Sequence, residues 1–169
     1  MKTTIISLFT IMLISCNNSE KKLKEKDFLE KTQDLVLSEN NVNQEYFFKM
    51  MLKNTVIEYS TTYLGNIINN KNDTLKFITT NIYSGNYDDS KGGDAIISIY
   101  NSKNQRKGYY YIGGAIKKSF KIVKNNLYLP IQDSTCNQTT ILNFKDSIPK
   151  EIFINCTERG GDLYKYEME

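Results

Sequence analysis

Nine short β-prone runs, each bounded by turn residues, fill the chain from residue 55 onward and constrain it to an antiparallel, mainly β fold. They cover residues 55–68, 74–83, 94–100, 108–112, 118–124, 127–131, 139–144, 151–156 and 162–167. The connecting segments 69–73, 101–104 and 159–162 are rich in Asn, Asp, Ser and Gly, residues that accept tight backbone geometry. Asn125-Asn126 suits a two-residue type I′ turn, because Asn tolerates positive φ. That turn sets Ile122 opposite Leu129 and Phe120 opposite Ile131, so all four apolar side chains share one face. Ser119, Lys121, Val123 and Tyr128 then take the other face, and Pro130 favours an edge or a strand end.

Upstream of these runs, Asn41 can cap a helix, with Gln44 three residues on and Val42, Tyr46, Phe47, Met50 and Met51 recurring at helical spacing. Residues 16–40 are polar: Lys21, Lys22, Lys24 and Lys26 mix with Glu20, Glu25, Asp27 and Glu30, and Leu23, Phe28, Leu35 and Val36 give only a ragged apolar face. This stretch reads as a polar tether with some helical tendency. The expected fold is α+β, an antiparallel meander with one or two N-terminal helices. Two packed sheets, or one curled sheet around the Asn41 helix, both satisfy the alternation. Residues 41–169 are long enough for one domain with one core, and no internal repeat divides them.

The first residues follow a different logic. Lys2 precedes an apolar stretch from Ile5 to Ile14, which is too short for the roughly twenty residues a membrane-spanning helix needs. Leu13-Ile14-Ser15-Cys16 closes that stretch and resembles the lipobox of bacterial lipoproteins, with Leu13 as the lipobox leucine, Ser15 as the small residue and Cys16 as the modified thiol. The resemblance implies that residues 1–15 are a signal peptide and that Cys16 carries the lipid. At about 0.8 kcal/mol per buried CH₂, two or three acyl chains hold such a protein on a bilayer essentially permanently. The implied location is the cell envelope, at the outer membrane, facing the periplasm or the surface. The competing reading is an ordinary secretory signal that contains a cysteine.

Cysteine usage agrees with an oxidising compartment. With Cys16 assigned to lipid, Cys136 and Cys156 remain as an even pair. A hairpin of runs 139–144 and 151–156 around residues 145–148 would set the two opposite each other, and the closed loop should contribute roughly 3 kcal/mol. A metal or redox pair is the alternative, but the chain holds neither a Cys-x-x-Cys nor a histidine.

Missing histidine also removes Ser-His-Asp and Cys-His catalytic sets. Asp88, Asp89 and Asp94 flank Ser90-Lys91-Gly92-Gly93 but lack the alternating ligands and closing Glu of an EF-hand, and the glycines match no phosphate loop. Glu58 and Asp94 are a conceivable carboxylate pair for glycan hydrolysis. Tyr109-Tyr110-Tyr111, if on a strand, sends its first and third rings to one face and its second to the other. The net charge of +3, about +2 once Lys2 leaves, is too small to suggest nucleic acid, and Lys117, Lys118, Lys121 and Lys124 read as a solvated strand. Asp73-Thr74-Leu75, Asp133-Ser134-Thr135 and Asp146-Ser147-Ile148 resemble O-glycan acceptor motifs of Bacteroidota, which suits an exported product.

Tyr63-Leu64-Gly65, Ile99-Tyr100-Asn101, residues 148–153 and Gly161-Asp162-Leu163-Tyr164 resemble small uncharacterised lipoproteins of Bacteroidota. That resemblance implies a shared domain, and the family carries no assigned activity. The expected function is non-catalytic binding or envelope scaffolding, with the membrane as one partner through Cys16, a protein as the other, and no cofactor. The chief alternative is an immunity-type lipoprotein that neutralises a periplasmic toxin, and a carboxylate-based glycan hydrolase comes after it.

Overall fold

Alternating apolar side chains along the strands are buried on both sides of a seven-stranded sheet, with a helix against one face and a three-stranded sheet against the other. The computed structural model describes residues 24–52, 55–85, 92–114, 120–131, 135–158 and 160–168. Helix α1 covers residues 24–39. Ten strands follow: β1 (Glu45–Leu52), β2 (Thr55–Ile68), β3 (Thr74–Gly85), β4 (Gly92–Tyr100), β5 (Arg106–Gly113), β6 (Lys121–Val123), β7 (Asn126–Pro130), β8 (Thr139–Asn143), β9 (Glu151–Thr157) and β10 (Gly160–Met168). The large sheet runs β1-β2-β3-β4-β5-β10-β9 and the small one β6-β7-β8. Every pairing is antiparallel. Of the two expected architectures the chain takes the packed one. Leu75, Phe77, Ile97, Ile99, Tyr110 and Ile112 of the large sheet meet Phe120, Leu127, Leu129 and Phe144 from the other side, and Phe77 and Phe144 pack edge to face at 4.8 Å.

One strand serves both layers. Along β2, Ile57, Tyr59, Thr61 and Tyr63 are buried toward the helix. A bulge then inserts Leu64 between the paired positions Tyr63 and Gly65, and Gly65 takes φ +108°. Beyond it the parity reverses, so Ile67 joins the core under the small sheet.

Two expectations about the N-terminal third are corrected. The segment expected to be a tether is in its described part helix α1, docked on the sheet. Its buried positions Leu29, Thr32, Gln33, Val36 and Leu37 fall three and four apart, which is a helical stripe. Two of the five are polar, and both are satisfied internally: Thr32 Oγ1 donates to the Leu29 carbonyl at 2.8 Å, and Gln33 Nε2 donates to Thr80 Oγ1 at 3.0 Å. Tyr100 Oη in turn donates to Gln33 Oε1 at 2.7 Å, so a buried hydrogen-bond network fixes the helix in register on β3 and β4.

The helix expected from Asn41 is instead strand β1. Asn40 and Asn43, at φ 54° and 62°, turn the chain, and the Asn43 N–H donates to the Tyr63 carbonyl at 2.8 Å. From there Tyr46, Phe48, Met50 and Leu52 point toward the helix layer, while Glu45, Phe47, Lys49 and Met51 point away. All eight residues pair with β2, and their burial alternates with the period of two that a strand requires.

The β6–β7 hairpin forms, but two residues out of the expected register: Ile122 faces Leu127 and Val123 faces Asn126. Lys124 and Asn125, at φ 47° and 61°, make the turn. The reason is tertiary. The Asn125 side chain accepts from the Ile68 N–H at 2.8 Å and donates to the Ile68 carbonyl at 2.7 Å, clamping the turn to the end of β2. A shift of two preserves faces, so Phe120 and Leu129 are buried in one core with Ile122 and Ile131 packed against it, as expected, and Leu127 joins them.

The expected hairpin of runs 139–144 and 151–156 is absent. β8 pairs with β7 and β9 with β10, in different sheets. Between them, Ile148 packs on the core and the Pro149 carbonyl accepts from Tyr110 Oη at 2.5 Å, so the segment crosses between layers instead of turning tightly. Cys136 and Cys156 are nevertheless joined by a disulfide, with Cα atoms 4.3 Å apart, and the bond ties β9 to the segment that leads into β8.

Candidate functional site

α1 leaves part of the sheet face open beneath its first turns, and a cavity of about 920 Å³ lies there. Its walls come from five strands and the helix. Tyr59, Ile82, Ile96, Tyr109 and Tyr111 contribute the apolar and aromatic part, and Glu25, Lys26, Asp94 and Arg106 contribute charge of both signs. Cross-strand pairing explains why these residues converge. Ile96 faces Tyr111, Ile82 faces Asp94, and Tyr59 faces Ile82, so alternate residues of β2 to β5 are laid side by side on one surface.

Each charged group has a defined setting. The Arg106 side chain is largely buried, with its guanidinium carbon 4.7 Å from the Tyr109 ring centre and Nη1 3.8 Å from Glu30 Oε1. Tyr109 Oη donates to the Glu167 carboxylate. The phenol of Tyr111, at the mouth of the cavity, is pushed up to about 12 by a hydrogen bond to Asp94, then by burial and by the Asp94 charge. Tyr59 is also pushed up to about 12, by burial first and Glu25 second, and Phe28 packs against its ring at 5.2 Å.

The upward shifts carry a pH dependence. An unfolded tyrosine ionises near 10, below the folded value, so the stability from these phenols is complete below pH 10 and is lost as the pH climbs toward 12. Tyr59 alone is expected to remove about 1 kcal/mol by pH 11. Denaturant unfolding at pH 8 and pH 11, with tyrosinate absorbance followed in parallel, checks this. Equal stability at both values would contradict it.

The residues singled out from sequence distribute unevenly. Tyr109 and Tyr111 line the cavity while Tyr110 is fully buried on the other face, as the alternation requires. Glu58 and Asp94 are not a pair: Glu58 lies on the opposite face of the sheet, bound to Lys49 at 2.7 Å, because it alternates with Tyr59 along β2. Two carboxylates separated by the sheet itself cannot flank one glycosidic bond. Lys121 and Lys124 are exposed on β6 and its turn, and Lys117 and Lys118 lie outside the described residues. So do Asp88, Asp89 and Cys16. Among the described residues no group of three or more Asp, Glu or Cys is placed to hold a metal ion.

Sequence reasoning missed Tyr59, Arg106 and Glu25. Arg106 had one available signal: an arginine opening a strand whose next aromatic, Tyr109, lies three residues on. A second cavity, of about 1150 Å³ and lined by loop residues such as Lys71, Lys103, Lys150 and Asp146, opens at the strand ends and shares Arg106 and Met168 with the first. No protein-family model, curated protein or solved structure matches this chain.

Proposed function

We propose that the chain is a lipid-anchored envelope protein that acts by binding, without catalysis, and that it seats a segment of a partner protein in the cavity beneath α1. The observation that carries the reading is the cavity wall itself. Tyr111 and Tyr109 offer aromatic surface at the cavity mouth, and Tyr59 and Arg106 form a buried floor, the arginine held over the Tyr109 ring. Tyrosine and arginine are the residue types that dominate binding energy at protein interfaces. Over the whole lining Glu25 and Asp94 balance Lys26 and Arg106, which favours polypeptide over a strongly charged ligand. With no histidine in the chain, neither a Ser-His-Asp nor a Cys-His set can be assembled there, which supports the non-catalytic reading.

The test places a photoreactive phenylalanine analogue at position 111 of the full-length protein in intact cells, with position 141 as a control. Tyr111 lies at the cavity mouth and Ile141 is exposed on β8, away from the cavity. A discrete adduct with one protein from position 111, absent from position 141, is the expected result. No adduct from either position, or the same adducts from both, would overturn it.

A further inference from the structure

The two edges of the large sheet are treated in opposite ways. The β9 edge is covered: the Asn155 N–H donates to Thr140 Oγ1 at 2.8 Å, the Asn137 N–H donates to the Cys156 carbonyl at 2.9 Å, and the disulfide holds that covering segment in place. Among the described residues the β1 edge has none of this. Among the described residues β2 is its only neighbour in the sheet, it runs eight residues without bulge or proline, and its face away from the helix presents Phe47 and Met51, 73% and 76% exposed. Natural edge strands are guarded by lysines, bulges or prolines. Here the one lysine, Lys49, is engaged by Glu58 at 2.7 Å.

We propose that β1 pairs antiparallel with β1 of a second copy of this chain, with Phe47 on the two-fold axis. Charge and symmetry select the arrangement. A two-fold axis normal to the sheet keeps both helix layers on one side and allows only registers centred on a residue. Centred on Lys49, the pairing sets two like charges directly opposite, which destabilises a strand pair. Centred on Phe48, it leaves Glu45 opposite Met51. Centred on Phe47, it sets Glu45 opposite the partner's Lys49 at both ends, Phe47 against its own copy, and Tyr46 against the partner's Phe48. Each Lys49 then lies between two carboxylates, Glu58 of its own β2 and Glu45 of the partner subunit. The exposed Phe47 is covered, and two seven-stranded sheets become one continuous sheet.

Cysteine crosslinking of the full-length protein tests the register. Phe47→Cys places a thiol opposite itself, while Met51→Cys places an equally exposed thiol away from the axis. Mild oxidation should convert Phe47→Cys to a covalent dimer on a non-reducing gel at a yield at least about tenfold above Met51→Cys. Adding Lys49→Glu should lower the Phe47→Cys yield about tenfold, and adding Glu45→Lys with it should restore the yield. Equal yields at 47 and 51, a maximum at position 48, no dimer at all, or a crosslink only to a different protein would each overturn the proposal. None of these outcomes bears on the cavity beneath α1, so the two readings fail separately.

Discussion

Gly108→Ala is expected to destabilise the fold by about 3 kcal/mol, a fall of roughly 10 °C in the unfolding midpoint. Gly108 lies on β5 with φ +152°, where a Cβ would sit inside contact distance of the Glu167 carbonyl oxygen and 2.6 Å from the Tyr166 ring. Those atoms belong to β10, and the nearest of them is a backbone oxygen, so rotating the Tyr166 side chain alone does not relieve the clash. The location amplifies the cost. β5 and β10 pair over three positions, Tyr110 with Tyr166, Tyr109 with Glu167 and Gly108 with Met168, and among the described strands this is the ladder that connects the five-stranded meander to β10 and β9. It is reinforced by the Tyr110–Tyr166 ring contact at 5.3 Å and the Tyr109–Glu167 hydrogen bond. Gly113→Ala on the same strand is the control, because a Cβ there meets nothing within 4 Å. That variant should stay within about 0.5 kcal/mol of the parent. Thermal unfolding of the two variants side by side decides the matter, and equal midpoints would show that the close approach at Gly108 is not limiting.

Cys16→Ser is expected to move the protein from the membrane pellet to the soluble fraction almost completely, and to abolish metabolic labelling with palmitate. A serine hydroxyl does not take the thioether-linked diacylglyceryl group that the lipobox resemblance assigns to Cys16. At about 0.8 kcal/mol per methylene, losing even one long chain lowers bilayer affinity by several orders of magnitude. No helix among the described residues is long and apolar enough to cross a membrane, so the described part offers no helical substitute for the anchor. A variant that still pellets, or a parent that never takes up palmitate, would remove the lipoprotein reading. The cavity would be unaffected by that result.

Strands β2 to β10 were legible in the sequence because turn residues separate alternating runs, and each lies within a few residues of its expected span. Failures occurred where tertiary contacts override local pattern. Helix α1 was obscured because Thr32 and Gln33 occupy its buried stripe, and their burial makes sense only once Thr80 and Tyr100 are in place. β1 was obscured because Phe47 and Met51 are apolar on its exposed side, so helical and strand periodicities fitted equally well. Turn chemistry alone put the β6–β7 turn one residue late, since the hold of Asn125 on Ile68 spans 57 positions. The cavity was half legible. Strand parity put Tyr109 and Tyr111 on one surface, whereas Tyr59, Arg106 and Glu25 arrive from elements whose juxtaposition depends on sheet order.

Sheet order also governs how the molecule is made. Each strand from β2 to β5 can zip onto its predecessor, but β9 has no place in the large sheet until β10 arrives to lie between it and β5. A chain halted before Gly160 would present two bare margins, β5 and β9, at once. Completion of the large sheet therefore waits for β10, and nonsense or frameshift products lacking it should be aggregation-prone and quickly degraded.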